Sequence, residues 1–419
     1  MSGSRTATAG LRVALIHNLK PPAKDPRLPA DYYSECDSPK TIAAISGALR
    51  KAGHEVLPVE ADEKLPAWLS RHAVDVAFNI AEGFRGECRE ARVPALLELL
   101  GIPYTGSGVL ALALALDKAK SKQLFRCAGI PTPNFQLFGH PDNPLDGRLK
   151  YPLIVKPNCE GSAKGVSVSS VVQNEAQLRI QVRQIFERYQ QEALVEEYVE
   201  GTELTVGILG EDGILPVLEI DFSECGLSRE YFYSWRMKEF QGDKGLHLVP
   251  RFWCPARLAP EVTQAVQSVA WKAAKALGTR DVVRVDIRLS SDGIPYVLEV
   301  NPLPGMDPQE SNLPFMVRAA GIRYEAFVNQ LVRQALERRR NTFPAGSARA
   351  VPRKAGAASF VPLSQTQAPR SPDPAGAAAP DSREKGAGAP EVPAIVVRNP
   401  SRPRGRIRNH DAKEENLGR

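Results

Sequence analysis

The first hundred residues alternate short apolar runs with stretches of helical periodicity, and this alternation restricts the fold more than any other feature of the chain. Predicted strands cover residues 11–17, 55–59 and 73–80, and predicted helices cover residues 39–52 and 93–100. Ser38 is placed to cap the first helix and Gly53 to end it. Alternation at this spacing predicts an α/β domain with a mainly parallel sheet over about residues 11–115.

Two further segments follow, which we predict as residues 116–205 and 206–340. Their predicted helices cover residues 117–128, 175–189, 261–277 and 324–339, and their predicted strands cover residues 151–155, 193–197, 205–209, 214–220, 282–289 and 295–300. With 419 residues and 43% hydrophobic residues, the chain is long enough for two or three domains, each with its own core.

The net charge of +6 lies entirely in residues 341–419, which hold 13 Lys/Arg against 7 Asp/Glu. This tail contains 11 of the 35 prolines and no periodic apolar spacing, so we predict that it is disordered. Its basic stretch 398–408 could contact RNA or a membrane face, but a solvated tail is the favoured interpretation. Nucleic acid is therefore disfavoured as a partner, and the tail's partner is unknown.

Membrane and secreted classes are disfavoured as well. The longest apolar run, residues 109–116, is far shorter than the roughly 20 residues that a membrane helix needs. Residues 1–18 show no secretory apolar segment with a cleavage site, which predicts a cytoplasmic protein. The six cysteines are widely spaced without a CxxC pair, which argues against a disulfide framework and a zinc site.

A single lysine, Lys156, ends the apolar run 151–155 and opens the glycine-rich loop KPNCEGSAKGV. Backbone N–H groups in such a loop can surround phosphate oxygens while the ammonium supplies charge. A β-turn with a solvated lysine explains the same residues equally well.

The stretch RVDIRLSSDGIPYVLEVNP predicts a hairpin that turns at residues 291–293. Asp286 on one strand then meets Glu299 and Asn301 on the next, since residues two apart share a strand face. Two carboxylates and an amide oxygen suit Mg²⁺, which we favour over a solvated face of alternating charge. Arg284 lies on the same side as Asp286.

The sequence contains five further motifs, in the order LLELLGIPYTGS, LDKAKSK, LIVKPNCEGSAKGVS, LVEEYVEGTELTVGIL and VRVDIRL with VLEVNPLPGM. Together they resemble the ATP-grasp fold, and specifically the D-alanine–D-alanine ligase family. The resemblance covers about residues 11–335 and leaves the tail unmatched. It implies an N-terminal parallel-sheet domain, a central and a C-terminal ATP-grasp subdomain, and ATP with Mg²⁺, as two ions or with Mn²⁺ in their place.

The resemblance also implies residue roles at the nucleotide. Lys118 and Lys156 would hold the ATP phosphates from two sides, and the loop that contains Gly161, Ser162 and Gly165 would close over them. Glu196, Glu197 and Val199 would contact the adenine, and Glu203 would contact the ribose. Lys238 would contact the γ-phosphate. The metal ligands are Asp286, Glu299 and Asn301.

The implied reaction joins a carboxylate to an amine through an acyl phosphate, and Arg284 would stabilise the oxyanion of the tetrahedral intermediate. Gly305 and Ser311 correspond to residues that hold the carboxylate of the second amino acid, and Ser162 to a loop serine near the first. The substrates are then small amino acids, and the resemblance leaves room for a homodimer.

The residues around the first substrate depart from the family pattern. Residues 18–37 form a longer loop without the usual glycine pair and offer Glu35 by loose analogy, while Glu82 stands where the family commonly has histidine. Three interpretations stay open: a D-alanine–D-alanine ligase or close relative in peptidoglycan synthesis, an ATP-grasp ligase for another amino acid, peptide or metabolite, and a non-catalytic nucleotide-binding regulator.

Overall fold

The computed structural model describes residues 10–23, 25–211, 213–225, 232–239 and 250–342. The tail prediction falls on residues that are almost all outside these ranges. The strands are β1 (Arg12–His17), β2 (Glu55–Glu60), β3 (Val76–Asn79), β4 (Phe135–Phe138), β5 (Leu153–Pro157), β6 (Val171–Val172), β7 (Ala193–Glu197), β8 (Gly201–Leu209), β9 (Gly213–Ile214), β10 (Leu218–Asp221), β11 (Arg251–Trp253), β12 (Val282–Ser290) and β13 (Pro295–Asn301).

Helices connect and cover these strands. They are α1 (Pro39–Lys51), α2 (Leu65–Arg71), α3 (Arg92–Leu99), α4 (Val109–Leu116), α5 (Lys118–Cys127), α6 (Glu175–Tyr189), α7 (Trp235–Glu239), α8 (Pro260–Ala276), α9 (Asn312–Ala319) and α10 (Tyr324–Thr342). Within the described ranges, no helix combines the length and apolar character needed to cross a membrane.

The first sheet is parallel in the order β2-β1-β3, as the sequence predicts. Val13 and Leu15 pack toward α1 and α10, while Ala14 and Ile16 pack toward α2 and α3. Because successive side chains of a strand point to opposite faces, β1 is buried on both sides. The predicted cap of α1 is confirmed, since Ser38 Oγ accepts a hydrogen bond from Thr41 N at 3.2 Å.

The second sheet is antiparallel in the order β4-β7-β5-β6. Helix α6 lies against it and contributes Leu178, Val182 and Ile185 to a core shared with β5 and β7. Each fully buried side chain of this kind contributes about 1.5–3 kcal/mol to folding. The ends of β5 and β7 are thereby held in fixed positions at one edge of a cavity.

The third sheet is antiparallel in the order β11-β10-β8-β12-β13, with β9 paired to β8. Helix α8 packs on one face, and α9 and α10 pack on the other, in a core that also includes α1 and β1. The first and third sheets therefore share a hydrophobic core. The hairpin β12–β13 is the predicted one, with Asp286 paired to Glu299 and Arg284 paired to Asn301.

One predicted strand is divided in the structure, and one apolar run without a predicted element forms a helix. The strand predicted over residues 214–220 is divided into β9 and β10, because Pro216 lies between them and has no N–H for a ladder hydrogen bond. The apolar run 109–116 is helix α4, which buries Ala111, Leu112 and Ala115. The structure gives each of the three predicted segments a sheet of its own, and their division into domains stays a prediction.

Candidate active site

A cavity of about 460 Å³ is lined by residues from all three predicted segments, with strand residues from the second and third sheets. Most of the predicted site residues line it: Glu82, Lys118, Lys156, Gly161, Ser162, Glu196, Glu197, Val199, Glu203, Arg284, Asp286, Glu299, Asn301, Gly305 and Ser311. Gly165 does not line it, because it packs against Pro157 and Tyr189. Lys238 lies in α7, and its side chain is outside the described part of the structure.

Lys156 reaches the cavity from the end of β5, where it forms an ion pair with Glu196 of β7. Glu196 also pairs with Lys122 of α5, whose Nζ lies 2.9 Å from Glu196 Oε2. Burial opposes ionisation of Glu196, but the two lysines outweigh it and its pKa is lowered. Burial lowers the pKa of Lys122 to about 8, although Glu196 opposes this. One carboxylate thus holds two lysines, of which Lys156 lines the cavity and Lys122 is fully buried behind it.

Lys118 enters from the first turn of α5. Its Nζ lies 3.2 Å from Glu299 Oε2 and also donates to the carbonyl oxygen of Glu160 in the glycine-rich loop. The backbone of α5 is fixed to the same loop, since Asn158 Oδ1 accepts from Ala119 N at 2.9 Å. Lys118 and Lys156 therefore approach one space from two elements.

The glycine-rich loop has an unusual backbone. Ser162 and Ala163 have φ of 51° and 56°, in the left-handed region that side chains other than glycine rarely adopt. A Cβ on Gly161 would lie 2.6 Å from Glu35 Oε1, so the close approach of Glu35 requires glycine there.

Glu35 connects this loop to the first segment of the chain. Its carboxylate accepts from Gly161 N at 2.6 Å, from Lys164 Nζ at 3.0 Å and from Arg89 Nη2 at 2.6 Å. Nearby, Asp31 Oδ2 accepts from Gly165 N at 2.7 Å. We call Glu35, Arg89, Lys164 and Asp31 the loop latch. It holds the glycine-rich loop over the cavity.

The hairpin β12–β13 presents the predicted metal ligands at another wall. Asp286 receives four hydrogen bonds, two from Arg284 at 2.9 Å each, one from Thr205 Oγ1 at 2.7 Å and one from Asn301 Nδ2 at 3.0 Å. Burial acts against the charge of Arg284, but Asp286 outweighs it and the pKa of Arg284 is raised. Asp286, Asn301 and Arg284 are thus brought together, with Glu299 beside them on β13.

Among the described residues, no group of three His, Cys, Asp or Glu side chains is arranged to hold a metal ion. The predicted set is of another kind, since it combines two carboxylates with an amide.

The predicted adenine and ribose residues lie where β7 passes into β8. The carboxylate of Glu197 accepts from Asn134 Nδ2 at 2.9 Å and from Lys150 N at 3.0 Å, whereas Glu196, its neighbour on the strand, faces the lysines. Glu203 is paired with Arg288 at 3.1 Å. Side-chain contacts from Glu197 to a nucleotide would therefore compete with the hydrogen bonds from Asn134 and Lys150.

Gly305 and Ser311 lie together on the wall of the cavity. A Cβ on Gly305 would lie 2.7 Å from Ser311 Oγ, so glycine is required for this approach. Ser311 Oγ also accepts from Asp307 N at 3.1 Å, and Ser311 is the N-cap residue of α9.

Acidic side chains from the first segment lie close to Gly305. Burial raises the pKa of Glu82 well above its usual range, and Glu35 and Glu90 add to the effect. Burial, with Asp307 and Glu60 in support, raises the pKa of Asp37 to about 7. Asp37 and Glu82 border a smaller cavity together with Gly305, so these two acidic groups lie beside Gly305.

Several residues of the site were not predicted from the sequence. Lys122 could have been found, because its spacing of four from Lys118 places both on one helix face. Glu35 was noted only by loose analogy. Arg89, Lys164, Asp37 and Glu90 carry no local signal, since their meeting depends on how the loop 18–37 folds over the glycine-rich loop.

Comparison with known proteins identifies the family. The family model described as D-ala D-ala ligase C-terminus matches residues 124–333. D-alanine–D-alanine ligase of Carboxydothermus hydrogenoformans is 35% identical over 311 residues, which cover 72% of this chain and 94% of that protein. The chain belongs to the D-alanine–D-alanine ligase family. The ligase of Geotalea uraniireducens is 37% identical over 298 residues, 71% of this chain and 90% of that protein.

A solved structure leads to the same conclusion for this ligase. The D-alanine–D-alanine ligase of Bacillus anthracis, complexed with ATP, superposes with a TM-score of 0.62 at 27% identity and covers 79% of this chain and 99% of its own. The predicted ATP-grasp fold is confirmed, and so is the prediction of an ATP-dependent ligase.

Proposed function

We propose that this ligase joins the carboxylate of one amino acid to the amine of another through an acyl phosphate, at the expense of ATP. The observation that carries the proposal is that Lys118, Lys156 and the hairpin carboxylates face the same cavity as Gly305 and Ser311. A phosphorylated carboxylate formed near the lysines would then lie within reach of an amine held by Gly305 and Ser311. D-alanine is the first substrate to test, and the pathway proposed is peptidoglycan precursor synthesis in the cytoplasm.

At the nucleotide end, Lys118 and Lys156 bind phosphate oxygens and Glu203 binds the ribose hydroxyls. Glu196, Glu197 and Val199 line the adenine side, with Glu196 also fixing the position of Lys156. Lys238 is a further candidate for the γ-phosphate. The Gly161 N–H donates to Glu35, so Gly161 serves the phosphates by letting the loop approach closely, and the Ser162 N–H caps them. The loop latch keeps water out so that the acyl phosphate is not hydrolysed.

The hairpin residues fit Mg²⁺ by their donor chemistry, since Asp286, Glu299 and Asn301 offer hard oxygen ligands and the two carboxylates already hold cationic partners. When bound, one or two Mg²⁺ ions, or Mn²⁺, supply positive charge beside the phosphate oxygens. The four hydrogen bonds to Asp286 use the acceptor positions of its carboxylate, so Arg284 must release it when a metal is held there.

Arg284 is the residue we assign to the tetrahedral intermediate, whose oxyanion would receive its guanidinium hydrogen bonds. Preorganised donors aimed at a developing oxyanion typically contribute about 2.7–4 kcal/mol to the barrier. Gly305 N–H and the Ser311 hydroxyl hold the carboxylate of the amine substrate. Ser162 and Glu82 border the carboxyl donor, which places the donor beside the first sheet.

The three predicted domains, a homodimer, and a partner for residues 341–419 remain proposals, and the residues of the cavity give no information on them.

The experiment for the proposed function measures ADP release by the full chain with ATP, Mg²⁺ and single or paired amino acids, beginning with D-alanine. Amino-acid-dependent ADP release supports it.

ADP release with a different carboxylate, and none above background with D-alanine, would favour a ligase outside cell-wall synthesis. The acidic side chain of Glu82 is the feature that favours this second candidate. No ADP release with any substrate would favour a nucleotide-binding regulator.

A further inference from the structure

Glu196 is a buried carboxylate that faces the cavity and is held by two lysines from different elements. Lys156, near the end of β5, forms an ion pair with Oε1 of Glu196, and Nζ of Lys122 in α5 lies 2.9 Å from Oε2. Glu196 is only 2% exposed. Because a buried carboxylate needs a neighbouring cation to stay ionised, the two lysines determine its charge.

The two lysines differ in what else they can reach. Lys156 lines the cavity and is proposed above to bind the phosphates of ATP. Lys122 is fully buried and does not line the cavity. A phosphate group can therefore draw Lys156 away from Glu196, whereas Lys122 stays with the carboxylate when a nucleotide binds.

Lys122 is also fixed on its other side. Its Nζ donates to Thr132 Oγ1 at 2.9 Å, and Thr132 Oγ1 donates to the carbonyl oxygen of Val297 in β13 at 2.8 Å. Because a hydroxyl group has one proton, the bond to Val297 leaves Thr132 as an acceptor for Lys122. Lys122 thus connects β13 to Glu196 of β7.

The charge of Lys122 controls which hydrogen bonds Glu196 can make. Burial acts to raise the pKa of Glu196, and the charge of Lys122 is the largest effect that opposes it, followed by the charge of Lys156. Once a phosphate takes Lys156, Lys122 keeps Glu196 ionised. An ionised carboxylate only accepts hydrogen bonds, whereas a protonated one can also donate.

We propose that Lys122 is a positioning residue for selection of the nucleobase, and that it acts through Glu196. Oε1 of Glu196, released by Lys156, accepts a hydrogen bond from the exocyclic amino group of adenine and disfavours a base that has a carbonyl oxygen at that position. The inference rests on the proposed function, because it takes Glu196 to lie beside the adenine of ATP.

ADP and inosine diphosphate (IDP) test this, because they differ only in the base and IDP has a carbonyl oxygen in place of the amino group. Their affinities for the full chain are measured by titration calorimetry with Mg²⁺ and without an amino acid, so the result does not require turnover. The wild-type protein should bind ADP at least about tenfold more tightly than IDP, because a hydrogen bond to a charged group is lost with IDP. Equal affinities would overturn the proposal.

Lys122→Met removes the charge and keeps the length of the side chain. It should reduce the preference for ADP about tenfold, because Glu196 then becomes protonated and can donate to the carbonyl oxygen of IDP. A loss of packing alone would weaken both nucleotides equally. Lys120→Met, at an exposed position of the same helix, is the control and should keep the wild-type preference. An unchanged preference in Lys122→Met would contradict the assigned role.

Thr132→Val and Thr132→Ser decide the matter if Lys122→Met does not fold. The first variant removes the hydroxyl that accepts from Lys122 and the second keeps it, so the preference for ADP should fall in the first and persist in the second. In that case, equal preferences in the two variants would overturn the proposal.

Amino-acid-dependent ADP release separates this inference from the proposed function. Such release, together with an unchanged preference for ADP in Lys122→Met, would keep the ligase and remove Lys122 from nucleobase selection. A preference that depends on Lys122, with no ADP release from any amino acid, would keep the inference and remove the ligase.

Discussion

Lys118, the first residue of α5, lies 3.2 Å from Glu299 of β13, so a predicted phosphate ligand and a predicted metal ligand form an ion pair. Burial acts to lower the pKa of Lys118, but Glu299 and further acidic neighbours outweigh it and the pKa is raised. Lys118 is therefore cationic at neutral pH. The pair joins the two parts of the site that the reaction needs together.

Lys156→Ala should abolish turnover and weaken ATP binding. A charge-assisted contact contributes about 1.5–3 kcal/mol, which corresponds to roughly 10- to 100-fold in affinity. The fold should survive, because Glu196 keeps Lys122 at 2.9 Å. ATP titration and ADP release measure both effects, with exposed Lys150→Ala as the control. Activity near that of the control would remove Lys156 from the phosphate site.

Glu299→Gln should keep the fold and lose magnesium-dependent turnover, because the change preserves shape and removes one ligand charge. A magnesium titration of ADP release, with exposed Glu261→Gln alongside, measures this. If the variant follows the wild-type magnesium curve, Glu299 is not a metal ligand.

Glu35→Gln should destabilise the protein at pH 7 by about 3 kcal/mol. This value is at the lower end of the range for breaking a buried ion pair, because Glu160 still pairs with Arg89 and Lys164. Burial opposes ionisation of Glu35, but Arg89 and Lys164 outweigh it and its pKa is lowered. The stabilisation from Glu35 is therefore fully present at pH values above the ordinary pKa of glutamate. It is lost as the pH falls through the lowered pKa of Glu35 in the folded protein.

Denaturant unfolding from pH 7 to pH 3 checks the latch. The wild-type protein should lose more stability over this range than Glu35→Gln, and exposed Glu187→Gln should resemble the wild type. Parallel curves for wild type and Glu35→Gln would show that ionisation of Glu35 contributes nothing to stability.

Deleting residues 343–419 should leave activity and melting temperature almost unchanged, because that sequence has no core-forming periodicity. The cut lies beyond Arg338, which pairs with Asp281 and donates to Tyr104 O at 2.7 Å. A thermal melt measures the change, and a loss of several degrees would mean that the tail packs against the rest of the chain.

The parts of the site that the sequence predicted are those built by local rules. The hairpin around Asp286 and Glu299 follows from strand periodicity and a turn signal, and the structure has this pairing. Lys156 was singled out because it ends a strand and opens a glycine-rich loop. Lys118 was predicted only from the family resemblance, and so were the roles of the residues in the remaining motifs.

What the sequence did not predict depends on contacts between distant segments. Glu35 meets Gly161 across 126 residues, and Arg89 meets Cys159 across 70, so no local pattern encodes these contacts. Burial is likewise a tertiary property. The raised pKa of Asp37 emerges only once the loop and α1 have packed.

Transfer of a carboxylate oxygen to phosphate tests the central claim most directly. The full chain is incubated with ATP, Mg²⁺ and an amino acid labelled with ¹⁸O in its carboxylate, and the released phosphate is analysed by mass spectrometry. An acyl phosphate that is attacked by an amine leaves one carboxylate oxygen in the phosphate, so one ¹⁸O should appear for each ADP formed. ADP release with unlabelled phosphate would contradict the ligase mechanism.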